Sequence, residues 1–338
     1  MADSSVELPY LPPPPSGLLE AADGGRLVLF VGAGVSRLAG SPGWEGFANA
    51  ILDWLVSKGS INHSVRTQLT TLPPRTRISI AKNLARAQTS KPSVEPTDAD
   101  YRRMLMSDDI AKRKIGSELY RNLTSMSKYY VTTNYDLWLD ERYPEIRLNE
   151  EAAQSMQPST PRARACVPND FKITNMEEGR VIHLHGSLAE PSSMILSTSD
   201  YLTHYRSDFD SDQNPVTAFL RQLFEKGSWA VLFVGYGMDE MEILEYVLHK
   251  SNVVKRRTDP SGPRHYLLRG FYSHEANLVP HLADYYKTHC GVELVPYCQD
   301  KADHMQLASV ISDWAKRVQA RSLPPLDKRR EFERLLDG

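Results

Sequence analysis

Four short segments, far apart in the chain, close apolar runs with glycines or small polar side chains. They are GAGVS at Gly32–Ser36, TTNYD at Thr132–Asp136, HGS at His185–Ser187 and FVGYG at Phe233–Gly237. Apolar runs of strand length without alternation suit strands buried on both faces of a parallel sheet. Loops at the carboxyl ends of such strands form the crevice in which open α/β sheets hold ligands. Four loops of this kind describe a nucleotide cradle.

The rest of the chain alternates in the same way. RLVLFVG (Arg26–Gly32), KYYVTTN (Lys128–Asn134), VIHLH (Val181–His185), WAVLFVG (Trp229–Gly235), RHYLLRG (Arg264–Gly270) and VELVPY (Val292–Tyr297) read as strands, with MILST (Met194–Thr198) a short candidate. Trp44, Phe47, Ile51, Trp54 and Leu55 recur at helical spacing and predict a helix over Trp44–Lys58. Val216–Lys226, Glu240–His249 and Glu275–Lys287 also read as helices. Residues 61–127 predict a helical insertion, broken at Pro73-Pro74 and around Pro92–Pro96. The proline-bearing stretch 141–178 predicts a long loop or lid, residues 1–25 an extended leader, and 301–338 a charged helical tail. Strand and helix signals alternate, so the expected fold is α/β: a Rossmann-like, mostly parallel sheet flanked by helices, spanning 26–300 with a smaller helical insertion.

Composition narrows the function classes. Among 338 residues, 40 Lys plus Arg nearly cancel 42 Asp plus Glu, a formal charge of −2 that argues against direct nucleic-acid binding. No apolar run reaches membrane-span length and no signal pattern opens the chain, so neither a membrane nor export is expected. Three cysteines without CxxC spacing disfavour disulfides and thiolate zinc sites, and fit a reducing cytoplasm with no metal expected.

Each motif offers a defined chemistry beside a plainer one. In GAGVS, Gly32 and Gly34 allow a tight turn, and the helix that follows would aim N–H groups at a phosphate; glycines after a first strand are also common packing devices. The dehydrogenase fingerprint is broken, because Gly40 comes too late and Asp53 falls inside a helical pattern. In TTNYD, Asn134 offers a donor and an acceptor and Asp136 a carboxylate, or the two form an Asx turn and a helix cap. His183 is expected to be buried and hydrogen-bonded. His185, followed by Gly186 and Ser187, is placed to work as an acid or base. Asp239 reads as a helix N-cap.

Together and in this order, the four motifs resemble those of the sirtuin superfamily, and most closely its bacterial branch associated with NAD destruction in antiphage defence. SPGW (Ser41–Trp44), STSDY (Ser197–Tyr201) and GYG reinforce that likeness. The resemblance implies NAD as substrate. Gly32, Ala33, Gly34 and Ser36 match the phosphate-binding turn, and Trp44 the aromatic residue that shields the sugar. Thr133 belongs to the asparagine motif, in which Asn134 matches the residue that positions ribose and water and Asp136 the one that contacts the carboxamide pocket. His185 matches the catalytic histidine, with Gly186 and Ser187 beside it. Gly235 and Gly237 match the loop at the adenosine end, with Tyr236-Gly237 in place of Thr-Ser.

The chain departs from deacylases of the superfamily in having no cysteine between Cys166 and Cys290, where those enzymes carry a four-cysteine zinc module. Direct hydrolysis of NAD to nicotinamide and ADP-ribose is therefore expected over deacylation or ADP-ribosyl transfer, with a non-catalytic NAD or ADP-ribose sensor a further possibility. Unchecked NAD hydrolysis would poison the cell, so the resemblance implies gating by homo-oligomerisation, or by a separately encoded activator such as an ATPase or argonaute-like protein.

Overall fold

The computed structural model describes residues 7–87, 95–142, 161–168, 176–205, 215–225, 229–236, 248 and 265–322. Seven strands form one sheet in the order β3–β4–β2–β1–β5–β6–β7. They are β1 (Leu27–Val31), β2 (Tyr129–Thr132), β3 (Arg164–Cys166), β4 (Val181–His183), β5 (Ala230–Val234), β6 (His265–Phe271) and β7 (Val292–Cys298). Every pairing is parallel.

Eleven α-helices accompany the sheet among the described residues: α1 (Ser16–Asp23), α2 (Ala33–Leu38), α3 (Trp44–Ser57), α4 (His63–Leu69), α5 (Pro74–Ala87), α6 (Asp98–Leu105), α7 (Ile110–Met126), α8 (Thr198–Tyr205), α9 (Pro215–Glu225), α10 (Val279–Tyr285) and α11 (Gln306–Ser322). The expected α/β architecture with a parallel sheet is the observed one.

Burial on both faces explains why the strands read as unbroken apolar runs. Val28 and Phe30 of β1 join Val231 and Phe233 of β5 under α9, where Phe219, Leu220 and Phe224 are buried. Leu27, Leu29 and Val31 point the other way, onto Leu119 and Leu123 of α7 and Val310 and Trp314 of α11. Each such side chain contributes about 1.5–3 kcal/mol by leaving water. A third cluster joins α3, α5 and α6 through Phe47, Ile51, Trp54, Ile78 and Leu105, and it includes Tyr135, Leu188 and Leu196 from loops above the sheet. The helical insertion therefore sits over the carboxyl ends of β2 and β4. From β1 the chain adds β2, then β3 at the edge with β4 between them, and crosses to β5 on the other side, which makes the end of β1 the topological switch point.

Several elements differ from expectation. From residue 7 the described leader carries no helix or strand as far as Pro15; Ser16–Asp23 is helical because Leu18 and Ala21 bury themselves. Its prolines contribute carbonyls: Pro9 O accepts from Cys298 N, and Pro12 O from Trp314 Nε1 at 2.7 Å. The stretch expected to be loop contains β3, three residues too short to show a period. Met194–Thr198 is not a strand, because Asp200 Oδ2 accepts from the N–H groups of Leu196 and Ser197 and starts α8 there. The helix expected over Glu275–Lys287 is a 3₁₀ turn, α10 and a π turn in succession. Gly237, Asp239, nearly all of Glu240–His249, most of the expected lid and the tail beyond Ser322 lie outside the described residues.

Candidate functional site

The loops after β1 and β5 close on each other. Gly32 N donates to Val234 O (2.9 Å) and Gly34 N to Gly235 O (2.7 Å). A Cβ on Gly34 would stand 2.8 Å from Gly235 O, and one on Gly235, whose φ is +63°, 2.5 Å from Val35 N. These glycines are required by the fit of two backbones, and the N–H groups of Gly32 and Gly34 already have partners. Tyr236 packs edge-on against Phe30 with ring centroids 5.1 Å apart.

The loop after β2 is built from side chains instead. Thr132 Oγ1 donates to Val31 O and accepts from Asn134 N. That turn aims the Asn134 amide at the first loop, where Nδ2 donates to Gly32 O (3.1 Å) and Ser36 Oγ (2.7 Å). Ser36 Oγ also bonds Tyr120 OH of α7 at 2.9 Å. Asn134 is buried, and its Oδ1 has no hydrogen-bond partner among the described residues. Ser41 Oγ, also buried, has none either. Both residues line one cavity of about 40 Å³, together with Ala33, Ser36, Trp44, Thr133 and Asp136. Two orphaned polar atoms on residues of one half-open cavity leave hydrogen-bonding capacity for a bound group or a water. The volume admits water; ligand pockets are usually roughly 300–1,000 Å³.

Asp136 faces this cavity and is buried. Burial pushes its pKa up to about 6, against hydrogen bonds from Ser36 and from Trp138 N–H that hold it down. Behind it runs a chain of charges. Asp140 receives Arg164 Nε on Oδ1 (2.6 Å) and His183 Nε2 on Oδ2 (3.0 Å). Burial alone would raise the Asp140 pKa, but His183 and Arg164 outweigh it and the net shift is downward. Burial likewise opposes the charged form of His183, yet Asp140 and the Asn134 carbonyl carry its pKa above the usual histidine value. His183 is fully buried, and its Nδ1 lies 3.2 Å from Asn134 O.

His185 stands apart from that chain. β4 ends at His183, and Ile195 N donates to His185 O (2.9 Å). The His185 ring lies 5.5 Å from the Tyr201 ring and 6.4 Å from the Tyr135 ring, centroid to centroid. Trp44 packs against the same two tyrosines, at 6.5 and 6.0 Å. Tyr135 lines the cavity and thus links it to the histidine. Gly186 turns at φ +81° directly onto Ser193, and Ser187, fully buried, accepts an N–H from Ala189.

The structure thus gathers Ala33, Ser36, Trp44, Thr133, Asn134 and Asp136 around one cavity. Gly32 contributes its carbonyl from outside the wall; Gly34 and Gly235 form the adjoining backbone junction; Gly186, Ser187 and His185 lie beyond Tyr135. Sequence reasoning missed Ser41, Tyr120, Tyr135, Asp140 and Arg164 as parts of this arrangement. Asp140 follows Asp136 by four residues, the one local hint; Arg164 sits in a strand too short to read. A second cavity, about 440 Å³, lies further along α3 between the insertion and residues 191–204, and none of the expected site residues lines it. The cysteines are buried and dispersed: Cys166 on β3 and Cys298 on β7 sit at opposite sheet edges. Among the described residues no cluster of His, Cys, Asp or Glu could hold a metal, and no helix is long and apolar enough to cross a membrane.

A family profile described as a SIR2-like domain matches residues 128–290, from the start of β2 through the π turn before β7. The match supports the sirtuin-like superfamily, whose SIR2-like domains use NAD. No curated protein matches the chain significantly.

Proposed function

We propose that this site cleaves the bond between nicotinamide and ribose in NAD, with water as the acceptor, giving ADP-ribose, nicotinamide and a proton. The observation that carries the reading is Asn134: its amide is pinned by two hydrogen bonds while Oδ1 is buried and unmatched beside Asp136. An acceptor so held can orient a water or a ribose hydroxyl, and such positioning is a large part of what this bond requires. The leaving ring departs neutral from a cation, so the enzyme's work is to hold it, place the nucleophile and offset developing charge at C1′. Asp136, ionised above about pH 6, offers an acceptor for the carboxamide N–H₂. His185 takes the proton, directly or through a ribose hydroxyl.

Cysteines scattered over the sheet leave no module like that of the zinc-bearing deacylases, which favours water over an acyl-lysine acceptor. We read the protein as an NAD-depleting effector of antiphage defence, gated by self-assembly or by an activator. The test is incubation of purified protein with NAD, with and without candidate activators, quantifying nicotinamide and ADP-ribose. Asn134→Ala and His185→Ala should each lower turnover by about 10²–10⁴-fold. Undiminished nicotinamide release by both variants overturns the reading. Release that depends on an acylated peptide, or label transferred from NAD to protein, would move the acceptor from water to a side chain.

A further inference from the structure

We propose that His183 is held as a doubly protonated imidazolium at neutral pH, with Asp140 as its counter-ion, and that it is the positioning residue that fixes the Asn134 backbone. Both ring nitrogens face groups that can only accept. Nδ1 points at the Asn134 carbonyl (3.2 Å) and Nε2 at Asp140 Oδ2 (3.0 Å). A neutral imidazole carries one N–H, so either tautomer would set a lone pair against an oxygen where no water reaches. Arg164 Nε donates to the other Asp140 oxygen at 2.6 Å, and that cation favours the ionised carboxylate, which has no proton to offer. A charged ring satisfies both contacts at once.

The ring also faces two carboxylates. The ionisable groups around the ring are Asp140 and Asp136 from the loop after β2, and Arg164 and Cys166 from β3, with Arg162 just before that strand. Arg162 N and Nη1 donate to the Asp140, Leu139 and Glu141 carbonyls. Burial pushes the Cys166 thiol up to about 11, so it stays neutral. Asp140 accepts from both His183 and Arg164, and Asp136, ionised above about pH 6, adds a second carboxylate that favours the charged ring. The carbonyl that the ring holds belongs to the residue whose side chain reaches Gly32 O and Ser36 Oγ, so the cation fixes the far end of the same unit.

The decisive measurement needs no turnover. Histidine-selective ¹⁵N labelling of the full chain, read by long-range ¹H–¹⁵N correlation at pH 7.5, should show one ring with both nitrogens protonated. His183→Gln should remove that signal; if this variant does not fold, Arg164→Lys should shift it. A pyridine-type nitrogen in the His183 ring at pH 7.5 overturns the proposal. A kinetic arm rests on the NAD reading: Asp140→Asn should return the ring to its neutral form and lower kcat for nicotinamide release by about 10- to 100-fold, with KM within about twofold. An unchanged kcat in a variant whose ring has become neutral overturns the positioning role. If the unmodified protein releases no nicotinamide, the functional reading fails while the ring spectrum still decides the state of His183.

Discussion

The carboxyl end of β1 meets its two neighbours in opposite ways. Toward β5 the contact is backbone on backbone: Gly32 and Gly34 against Val234 and Gly235, with no room for a Cβ. Toward β2 and β4 it is built from buried polar side chains: Ser36, Asn134, Asp136, Asp140 and His183. The first junction is rigid because its atoms fit. The second is held by charge and leaves an acceptor unmatched. A site that must hold a ligand and handle protons belongs at the second, while the first supplies a fixed floor.

Removing a charge from the polar junction should have the largest effect on stability. Asp140→Ala leaves His183 and Arg164 without their counter-ion in the interior and should destabilise by about 3–5 kcal/mol in chemical denaturation. A loss below about 1 kcal/mol would mean that the junction is not electrostatic. At the backbone junction, Gly235→Ala adds a Cβ 2.5 Å from Val35 N at a positive φ and should cost about 2–3 kcal/mol. Because no charge changes, that loss should be the same at pH 5 and pH 8.

The polar junction should instead be strongly pH-dependent. Asp136 is raised by burial, so its carboxylate penalises the fold in full above its folded value of about 6, and the penalty fades as pH falls from there to the unfolded value of 3.8. Asp136→Asn should therefore stabilise by about 2 kcal/mol at pH 8 and by little at pH 3.5, even as it lowers activity. His183 has the opposite sense to an ordinary carboxylate: its contribution is full below the unfolded histidine value and is lost as pH rises through the raised folded one. Asp140, with a lowered pKa, contributes above the unfolded carboxylate value and loses it as pH falls through the folded one. Thermal scans of the unmodified protein and of Asp136→Asn across this range separate the three.

The smallest effect is expected at the surface. Arg66 and Asp53 pair at 2.8 Å, nearly as close as Arg164 and Asp140, but the Asp53 carboxylate is 60% exposed where that of Asp140 is buried. Arg66→Ala should change stability by no more than about 0.5 kcal/mol, because water screens the pair. A large loss there would erase the distinction between buried and exposed charge on which the comparison rests.

The strands were legible because both faces of the sheet are covered, so each core strand is apolar along its whole length. β3 was not, since three residues carry no period, and the helix at Ser16–Asp23 was hidden by the prolines before it. Of the site, Asn134 and Asp136 could be named from TTNYD alone, and Ala33, Ser36 and Trp44 from the first loop and the SPGW segment. The same motif reading placed His185 beside them. The fold instead sets it behind Tyr135, in an aromatic group with Trp44 and Tyr201.

By itself, then, the sequence determined the mostly parallel α/β sheet, the position of its core strands along the chain, and the residue types at their carboxyl ends. Apolar runs and glycine turns are local, and a chain carries local signals in its order. Tertiary structure alone decided that Gly34 faces Gly235 rather than open space, and that buried Asp140 and His183 and half-buried Arg164 form one chain joining β3 and β4 to the loop after β2. It also decided that Asn134 Oδ1 and Ser41 Oγ share one cavity. Those facts depend on which side chains lose water together, and that depends on strand order and crossover rather than on any motif.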